Sequence, residues 1–236
     1  MSPISRYKIL SIDRSVPEIG VYRIQHEDKI TNQFAPGQAV FLHILDENGA
    51  SIEKKPYSVA SAPGVPYIEL CIKLVNGKLT GKLEKLGIGA VVGIEGPMGH
   101  FVYGGQTRAV FIGGGTGVAP FMSMLRSVAS KKLPGEFILF YSVKDRENII
   151  YREELEQIQK NNPNIKVVIT LTKEERGENW NGEYGRINKE MLERHVPKAS
   201  TFDWWICGPA ELVKNMRISI TELGADVKKL HMEAWG

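Results

Sequence analysis

The chain has 236 residues, of which 42% are hydrophobic and 24% are charged, as in a globular protein with a buried core. Its formal net charge of +3 is small, and no dense run of lysine or arginine occurs, which argues against nucleic-acid binding. The longest uncharged stretch, 109–125, is interrupted by glycines and a proline, and the first residues lack the apolar core of a signal peptide. We therefore expect a cytoplasmic protein without membrane insertion.

Cysteine and histidine usage limits the metal and redox chemistry. Cys71 and Cys207 fall in segments that we assign to different domains, so we expect free thiols. An iron–sulfur centre takes a cluster of thiolate ligands that this chain does not have, and the histidines show no metal-ligand spacing. We expect no metal site, and any iron–sulfur partner has to be a separate chain.

Short apolar runs separated by Pro, Gly, Asn and Asp predict the first strands, at Tyr7–Ile12, Gly20–His26, Gln38–Leu45 and Tyr67–Leu74. In the last run, apolar residues alternate with Glu69 and Cys71, and this period of two indicates one buried face. Strands at this spacing favour a small antiparallel β-barrel. The glycine-rich stretch Val102–Gln106 marks its end, so we assign residues 1–103 to one domain and 104–236 to another.

Strands and helices alternate along the rest of the chain. The predicted strands are Arg108–Ile112, Glu136–Val143, Ile165–Thr172, Phe202–Cys207 and Val227–Met232, and the helices lie near 118–130, 151–160, 188–195 and 209–223. This alternation predicts a doubly wound α/β domain with a parallel five-stranded sheet. Ligands of such sheets bind at the carboxyl ends of the strands, where the segments 113–120, Thr172-Lys173 and Cys207–Pro209 fall.

The segment Lys55-Pro56-Tyr57-Ser58 places a cation, an aromatic ring and a hydroxyl in one extended stretch. In a strand, Lys55 and Tyr57 point to the same face. A flavin needs such a set: a flat surface against its ring system, a cation for its phosphate and a small hydroxyl near N5. Taken alone, the segment also fits an ordinary half-exposed strand.

The run Gly113-Gly114-Gly115-Thr116-Gly117-Val118-Ala119-Pro120 follows a predicted strand and opens a predicted helix. A glycine-dense turn lets backbone N–H groups approach a phosphate at a helix N-terminus, and a proline suits the first helical turn. The run is not a Walker loop, because no Lys-Ser or Lys-Thr follows the glycines. We predict that a phosphate group binds here, with Gly114, Gly115, Thr116, Gly117 and Pro120 as the candidate residues; the alternative is a tight turn without a ligand.

Further segments follow in a consistent order with these two: Phe34–Gln38, Gly77–Leu83, Gly96–Phe101, Cys207–Pro209 and His231–Gly236. Together they resemble the ferredoxin–NADP reductase superfamily, whose flavin domain carries Arg-x-Tyr-Ser and whose nucleotide domain opens with Gly-Gly-Gly-Thr-Gly-x-Ala-Pro. The resemblance covers almost the whole chain. Lys55 stands where the family usually has arginine and supplies a point charge rather than a bidentate fork, which leaves the choice between FAD and FMN open.

The resemblance implies hydride transfer between a nicotinamide and a bound flavin, from which electrons leave singly to a carrier. It implies that Tyr57 stacks on the isoalloxazine and that the catalytic residues are Ser58, near N5, Cys207, beside the nicotinamide, and Glu233, in proton movement. Cys207 also fits a small buried residue at a strand end, and Glu233 a solvated one. The implied flavin-binding residues are Lys55, Pro56, Tyr57, Ser58, Ile72, Lys73, Gly77, Lys78, Leu79, Thr80 and Trp235.

A tryptophan next to the C-terminus offers a large flat surface that is costly to leave exposed. The resemblance implies that Trp235 covers the flavin face where the nicotinamide must sit and that it moves during hydride transfer. The alternative is that Trp235 packs against the nucleotide domain.

Coenzyme choice depends on the 2′-phosphate of NADP, which is bound by cations and hydroxyls. Thr172, Lys173 and Arg186 resemble the positions where NADP-using relatives place basic residues. Ser142, with Lys144 and Arg146, follows another strand end and is a further candidate, and Cys207, Gly208 and Pro209 complete the implied nucleotide site. We therefore expect NADP(H), with NAD(H) as the alternative.

The resulting hypothesis is an NADP(H)-dependent reductase that exchanges electrons with ferredoxin or flavodoxin and acts as a monomer. One alternative is the NAD(P)H-dependent reductase component of a multi-subunit oxygenase or hydrogenase-type complex. Another is a non-catalytic binding module of the same fold. Basic residues such as Lys82, Lys85, Lys228 and Lys229 are candidates for receiving an acidic carrier.

Overall fold

The computed structural model describes residues 3–31, 33–175, 177 and 179–235, so Gly236 of the C-terminal segment lies outside the described residues. The chain forms two compact units. One extends to Tyr103 and also includes Met122–Ser127; the other comprises Gly104–Phe121 and the chain from Val128 onward. Within the described part of the chain, no helix combines the length and apolar character needed to cross a bilayer.

The first unit is built on an antiparallel sheet. Its strands are β1 (Ser5–Asp13), β2 (Ile19–His26), β3 (Ala39–Leu45), β4 (Ser51–Ser58), β5 (Ile68–Lys73) and β6 (Val91–Met98), and helix α1 (Lys78–Leu83) lies between the last two. The strand order is β4-β3-β6-β1-β2-β5. An antiparallel bridge between Val59 and Leu70 joins the chain after β4 to β5, the strand at the other end of the sheet. The predicted antiparallel barrel is confirmed.

Alternation along the strands builds the barrel core. In β2, Tyr22 and Ile24 are buried while Arg23 between them is exposed. The prediction of one buried face was wrong for β5, where Glu69 and Cys71 are buried as well as the apolar residues between which they lie.

The second unit is a parallel α/β sheet. Its strands are β7 (Arg108–Gly114), β8 (Glu136–Val143), β9 (Ile165–Leu171), β10 (Glu183–Tyr184), β11 (Asp203–Pro209) and β12 (Leu230–Trp235), in the order β10-β9-β8-β7-β11-β12. Its helices are α3 (Arg152–Asn161), α4 (Lys189–His195) and α5 (Ala210–Glu222), together with the two ends of α2 (Val118–Ser130), whose middle part, Met122–Ser127, belongs to the first unit. All strand pairs are parallel, so every strand ends at the same edge of the sheet.

Helices cover both faces of this sheet, as predicted. Phe111 and Trp205 pack on one face, where Phe121 of α2 contacts Phe111 at a ring-centroid distance of 5.5 Å. On the other face, neighbouring strand residues pack with α4 and α5 in a single apolar cluster. Because side chains alternate across a strand, adjacent residues of these strands pack into the apolar clusters on opposite faces of the sheet.

The parallel sheet differs from the sequence prediction in two places. It has six strands rather than five, because Glu183–Tyr184 adds a short edge strand beside β9 that is too short to show a period. The last strand begins at Leu230 rather than Val227, because Val227–Lys229 form a 3₁₀ turn in which Asp226 Oδ1 accepts a hydrogen bond from the Lys228 N–H at 2.9 Å.

Candidate functional site

The end of β4 presents the residues expected to bind the flavin. Lys55 and Pro56 are exposed, and Tyr57 and Ser58 are half-buried. Tyr57 packs against the barrel core, and burial raises its pKa to about 12, so the phenol stays protonated at physiological pH. Lys55 has no ion pair with any residue that the structure describes, whereas its neighbour Lys54 donates to Glu95 at 3.0 Å. The cation next to the tyrosine is therefore available to a phosphate.

Hydrogen bonds and close packing join two of the segments singled out in the sequence, Phe34–Gln38 and Gly96–Phe101, at this end of the barrel. The Oε1 atom of Gln38 accepts a hydrogen bond from the Ala35 N–H at 2.8 Å, and its Nε2 donates to the carbonyl of Gly99 at 3.4 Å. Gly37 adopts φ +99°, and a Cβ at this residue would lie 2.3 Å from the carbonyl oxygen of Phe101. The backbone carbonyl of Gln38 accepts a hydrogen bond from the Val59 N–H at 2.9 Å, directly after the segment that is expected to bind the flavin.

Helix α1 and the loop before it carry Gly77, Lys78, Leu79 and Thr80, which are expected to bind the flavin. Thr80 is buried, and its hydroxyl accepts a hydrogen bond from the Gly77 N–H at 3.3 Å and donates to the carbonyl of Val75. This hydroxyl therefore shapes the loop before the helix. Leu79 lies in the barrel core, so it offers only its backbone to a phosphate, while the side chain of Lys78 is exposed.

The last two residues of β5, Ile72 and Lys73, differ in their exposure to solvent. Ile72 is fully buried in the barrel core, and Lys73 is exposed, 3.8 Å from a carboxylate oxygen of Glu18. The groups that these two residues leave for a flavin are therefore the backbone of Ile72 and the exposed ammonium group of Lys73.

The glycine-rich run lies between the buried strand β7 and helix α2. Gly115–Gly117 form a 3₁₀ turn, with Thr116 half-buried, and Pro120 falls in the first turn of α2. Gly115 adopts φ +55°, and no atom of the described residues lies within 4 Å of where its Cβ would be. An open, left-handed glycine at the start of a helix fits a bound phosphate group.

The second unit brings the other nucleotide-site segments to this turn. A Cβ at Gly117 would lie 2.3 Å from the carbonyl oxygen of Cys207 and 2.6 Å from Cη2 of Trp235. Cys207 and Glu233 are paired in the register of β11 and β12, and the Cys207 thiol donates to Glu233 Oε2 at 3.9 Å. Burial, together with the negative charge of Glu233, raises the pKa of the Cys207 thiol well above its usual range. Gly208 and Pro209 follow, with Pro209 packed against Gly114.

The candidate cations for a 2′-phosphate differ in the hydrogen bonds and ion pairs that they make. Arg146 donates to Glu174 at 2.9 Å and to the carbonyl of Asn179 at 3.1 Å, so its guanidinium holds a loop together. Arg186 is exposed and pairs with Glu211 at 2.8 Å. Lys173 is exposed and has no ion pair with any residue in the described ranges.

The hydroxyls near these cations are placed differently. Thr172 donates its hydroxyl to the carbonyl of Val143 at 3.0 Å, and Ser142 is half-buried at the end of β8. Lys173, Thr172 and Ser142 therefore lie at the carboxyl ends of neighbouring strands, and the Thr172 hydroxyl is engaged with the backbone whereas the ammonium group of Lys173 has no ion pair among the described residues.

Sequence reasoning missed one group of charged residues. Glu69 is fully buried in β5, where its carboxylate accepts hydrogen bonds from Arg126 at 2.6 Å and Arg23 at 2.7 Å. Its position in the strand alternation suggested a solvent-facing residue. No local signal in the sequence pairs it with an arginine so far along the chain.

Comparison with known proteins supports both halves of this description. Residues 8–103 match the family model of the oxidoreductase FAD-binding domain, and residues 111–217 match that of the oxidoreductase NAD-binding domain. The two matches together cover most of the chain.

Individual relatives give the same result. Ferredoxin–NADP reductase B of Sorangium cellulosum is 32% identical over 212 residues, which are 86% of this chain and 85% of that protein. The glycine betaine monooxygenase reductase subunit of Chromohalobacter salexigens is 30% identical over 209 residues, and the matched region covers 86% of this chain but only 56% of that relative.

A solved structure supports the fold. The ferredoxin NADP⁺ reductase of Neisseria gonorrhoeae, determined with bound FAD and NADP, superposes with a TM-score of 0.83 at 20% identity and covers 99% of each chain. With both domain models matched and the fold in common, the chain belongs to the ferredoxin–NADP reductase superfamily of flavin-dependent oxidoreductases.

Proposed function

We propose that the protein transfers hydride between NADP(H) and a bound FAD and passes single electrons to or from ferredoxin or flavodoxin. The observation that carries this proposal is the meeting of Gly117, Cys207 and Trp235 beside the open turn at Gly115. This arrangement supports a nicotinamide dinucleotide site that is built from the ends of β7, β11 and β12. A flavin supplies the exchange between two-electron and one-electron chemistry when it is bound.

The roles of the residues follow from their positions. Tyr57 presents an uncharged ring from the edge of the barrel core, and Ser58 places a hydroxyl next to it. Lys55, which has no ion pair among the described residues, offers its ammonium group to the flavin phosphate. Cys207 presents a protonated thiol, since its pKa is raised, and Glu233 beside it is the group we assign to proton movement.

We propose NADP(H) rather than NAD(H) because Lys173, at the carboxyl end of the parallel sheet, has no ion pair with any residue that the structure describes. Arg186 is the second candidate, since an exposed ion pair such as the one with Glu211 holds its partners only weakly. We propose FAD rather than FMN, in line with the FAD-binding family model over residues 8–103.

A second candidate function is the reductase component of a larger oxygenase system. It is favoured by the similarity to a monooxygenase reductase subunit at 30% identity. The two candidates differ in the electron acceptor and share the chemistry at the flavin.

We propose that the protein is a monomer that meets its carrier as a separate chain.

The test is an anaerobic titration of the purified protein, reconstituted with FAD or with FMN, while its visible spectrum is recorded. We expect bleaching of the flavin by NADPH at a much lower concentration than by NADH. Bleaching mainly by NADH would overturn the assignment of Lys173, and a protein that takes up neither flavin would overturn the function itself.

The acceptor is tested next with the reduced protein. Rapid reoxidation by ferredoxin or flavodoxin, with slow reoxidation by oxygen, supports the first candidate function. Reoxidation only by the oxygenase component that copurifies from the host supports the second.

A further inference from the structure

A charge cluster centred on a buried carboxylate, with one largely buried and one exposed arginine, lies against the segment that leaves the predicted flavin site. The Glu69 cluster consists of Glu69, Arg126 and Arg23, with the backbone of Ala60 and the hydroxyl of Ser61. One carboxylate oxygen of Glu69 accepts from Arg126 Nη1 at 2.6 Å, and the other accepts from Arg23 Nε at 2.7 Å. Arg126 Nη1 also donates to the carbonyl of Ala60 at 2.7 Å. All of these residues belong to the first unit.

The cluster fixes the place where the barrel closes. After Ser58, the Ala60 N–H donates to the carbonyl of Glu69 at 2.8 Å, and the Glu69 N–H donates to Ser61 Oγ at 3.1 Å. The bridge between Val59 and Leu70 is the backbone pairing beside it. We call this pairing of residues 59–61 with Glu69 and Leu70 the seam. The side chain of Arg126 donates hydrogen bonds to both sides of the seam, to the carbonyl of Ala60 and to the carboxylate of Glu69.

Within this cluster, the ion pair between Glu69 and Arg126 is much more buried than an ordinary surface ion pair. The side chain of Glu69 is 1% exposed and that of Arg126 is 13% exposed, whereas Arg6 and Glu27, on the same barrel, are paired at 2.8 Å with the arginine 52% exposed. A buried ion pair is a poor source of net stability compared with apolar packing, because both charges lose their hydration. Its geometry, in contrast, is restrictive, since two fixed acceptors are held by one guanidinium nitrogen.

We propose that Glu69 and Arg126 are positioning residues for the flavin: they hold the seam at Ala60 so that Tyr57 and Ser58 keep the spacing that the flavin requires. The proposal rests on the proposed function, because it needs a flavin at the end of β4. The two residues act through the backbone and are not assigned a contact with the flavin.

The experiment compares Arg126→Met, Arg126→Lys and Glu69→Gln with Arg6→Met, which removes the exposed ion pair of the same barrel. The dissociation constant of FAD is measured on the apoprotein, with the visible circular dichroism of the bound flavin and the thermal midpoint of the apoprotein. We expect Arg126→Met to weaken FAD binding about tenfold or more and to change the dichroism of the bound flavin. Arg126→Lys should show an intermediate loss, and Arg6→Met should remain within about twofold of the wild type.

A lower thermal midpoint with unchanged FAD affinity and dichroism would mean that the cluster is only structural and would overturn the proposal. If single variants fail to fold, the double variant Glu69→Leu/Arg126→Met removes both buried charges while keeping apolar volume. A double variant that folds and binds FAD as the wild type does also overturns the proposal, and one with weakened FAD binding supports it. A wild type that binds no flavin would instead refute the proposed function, and the positioning role with it.

Discussion

The Sγ atom of Cys207 lies 3.9 Å from Oε2 of Glu233, and the two residues are paired in the parallel register of β11 and β12. Because both burial and the charge of Glu233 disfavour the thiolate, Cys207 is held as a neutral thiol. A neutral, compact sulfur is suited to packing beside a ring and is poorly suited to acting as a nucleophile.

We expect the native Cys207 thiol to resist alkylation at neutral pH. Its pKa is raised in the folded state, so its protonation adds stability that is complete below about pH 8.5 and is lost as the pH rises toward the folded-state value. Urea unfolding from about pH 7 to about pH 10 should show this loss in Cys71→Ala and not in Cys71→Ala/Cys207→Ala.

Glu233→Gln provides the matched control for this prediction. It removes the nearby negative charge while leaving the thiol buried, so the pKa of Cys207 should fall but stay above its usual range. Native Cys207 that reacts with iodoacetamide as fast as it does in urea would contradict the expectation.

Tyr57 should contribute to flavin affinity through its ring rather than its hydroxyl. Its pKa of about 12 keeps the phenol neutral, so binding should not depend on pH through this group in the physiological range. We expect Tyr57→Ala to raise the FAD dissociation constant about tenfold, which corresponds to about 1.4 kcal/mol, at the upper end of the range for an aromatic contact. Tyr57→Phe is the control and should change the constant by no more than about twofold, as measured by fluorescence quenching. Equal affinity of Tyr57→Ala and the wild type would exclude stacking by this ring.

Coenzyme selectivity should respond most strongly to Lys173. We expect Lys173→Ala to raise KM for NADPH about tenfold and to leave KM for NADH nearly unchanged, because only NADPH carries the 2′-phosphate. Arg186→Ala should have a smaller effect, since that guanidinium is already engaged with Glu211. An equal rise in both KM values would show that Lys173 does not distinguish the two coenzymes.

Two glycines of the nucleotide turn should behave differently when they are replaced by alanine. At Gly117 the added methyl group meets the carbonyl of Cys207 and the ring of Trp235, so we expect the free energy of unfolding to fall by about 1–3 kcal/mol. At Gly115 the space is open and only the φ of +55° is unfavourable, so the loss should be about 1 kcal/mol. Urea denaturation measures both, and a larger loss at Gly115 would contradict this account of the turn.

Removal of Trp235 and Gly236 should change nicotinamide affinity. Trp235 is 39% exposed at the end of β12, and its ring closes on Gly117. If the ring occupies the place that the nicotinamide must reach, as the family resemblance implies, the truncated protein should bind NADP⁺ about tenfold more tightly. Met232→Ala, an exposed change on the same strand, is the control. Unchanged kinetics and an unchanged flavin spectrum after truncation would refute this role for Trp235.

The parts of the fold that repeat along the chain were predictable from the sequence. Alternation of apolar residues identified the barrel strands, and the change to strand–helix alternation identified the parallel sheet. Buried strands such as β7, with its uninterrupted apolar run and terminal glycines, have a strong local signal. The two-residue strand β10 has none, because its pairing with Thr170 and Leu171 of β9 depends on tertiary context.

The candidate site was only partly predictable for a related reason. The residue types at Tyr57, Gly115 and Cys207 identify the chemistry, but pairing among charged groups depends on contacts between distant segments. The sequence does not distinguish Lys173 from Arg146, although Arg146 is paired with Glu174 and Lys173 has no ion pair in the part of the chain that the structure describes. The burial of Glu69 was likewise hidden, because its ion-pair partner Arg126 belongs to a different element.

The parallel sheet ends in strands of very different length. The edge at β10 has two residues and so exposes few unpaired backbone groups, whereas β12 has six. By length alone, β12 offers more edge positions to an added strand than β10 does, and β12 is the strand that carries Glu233 and Trp235. Any polypeptide that extended the sheet there would lie directly against the residues proposed for catalysis, so self-association along this edge and turnover would compete for the same strand.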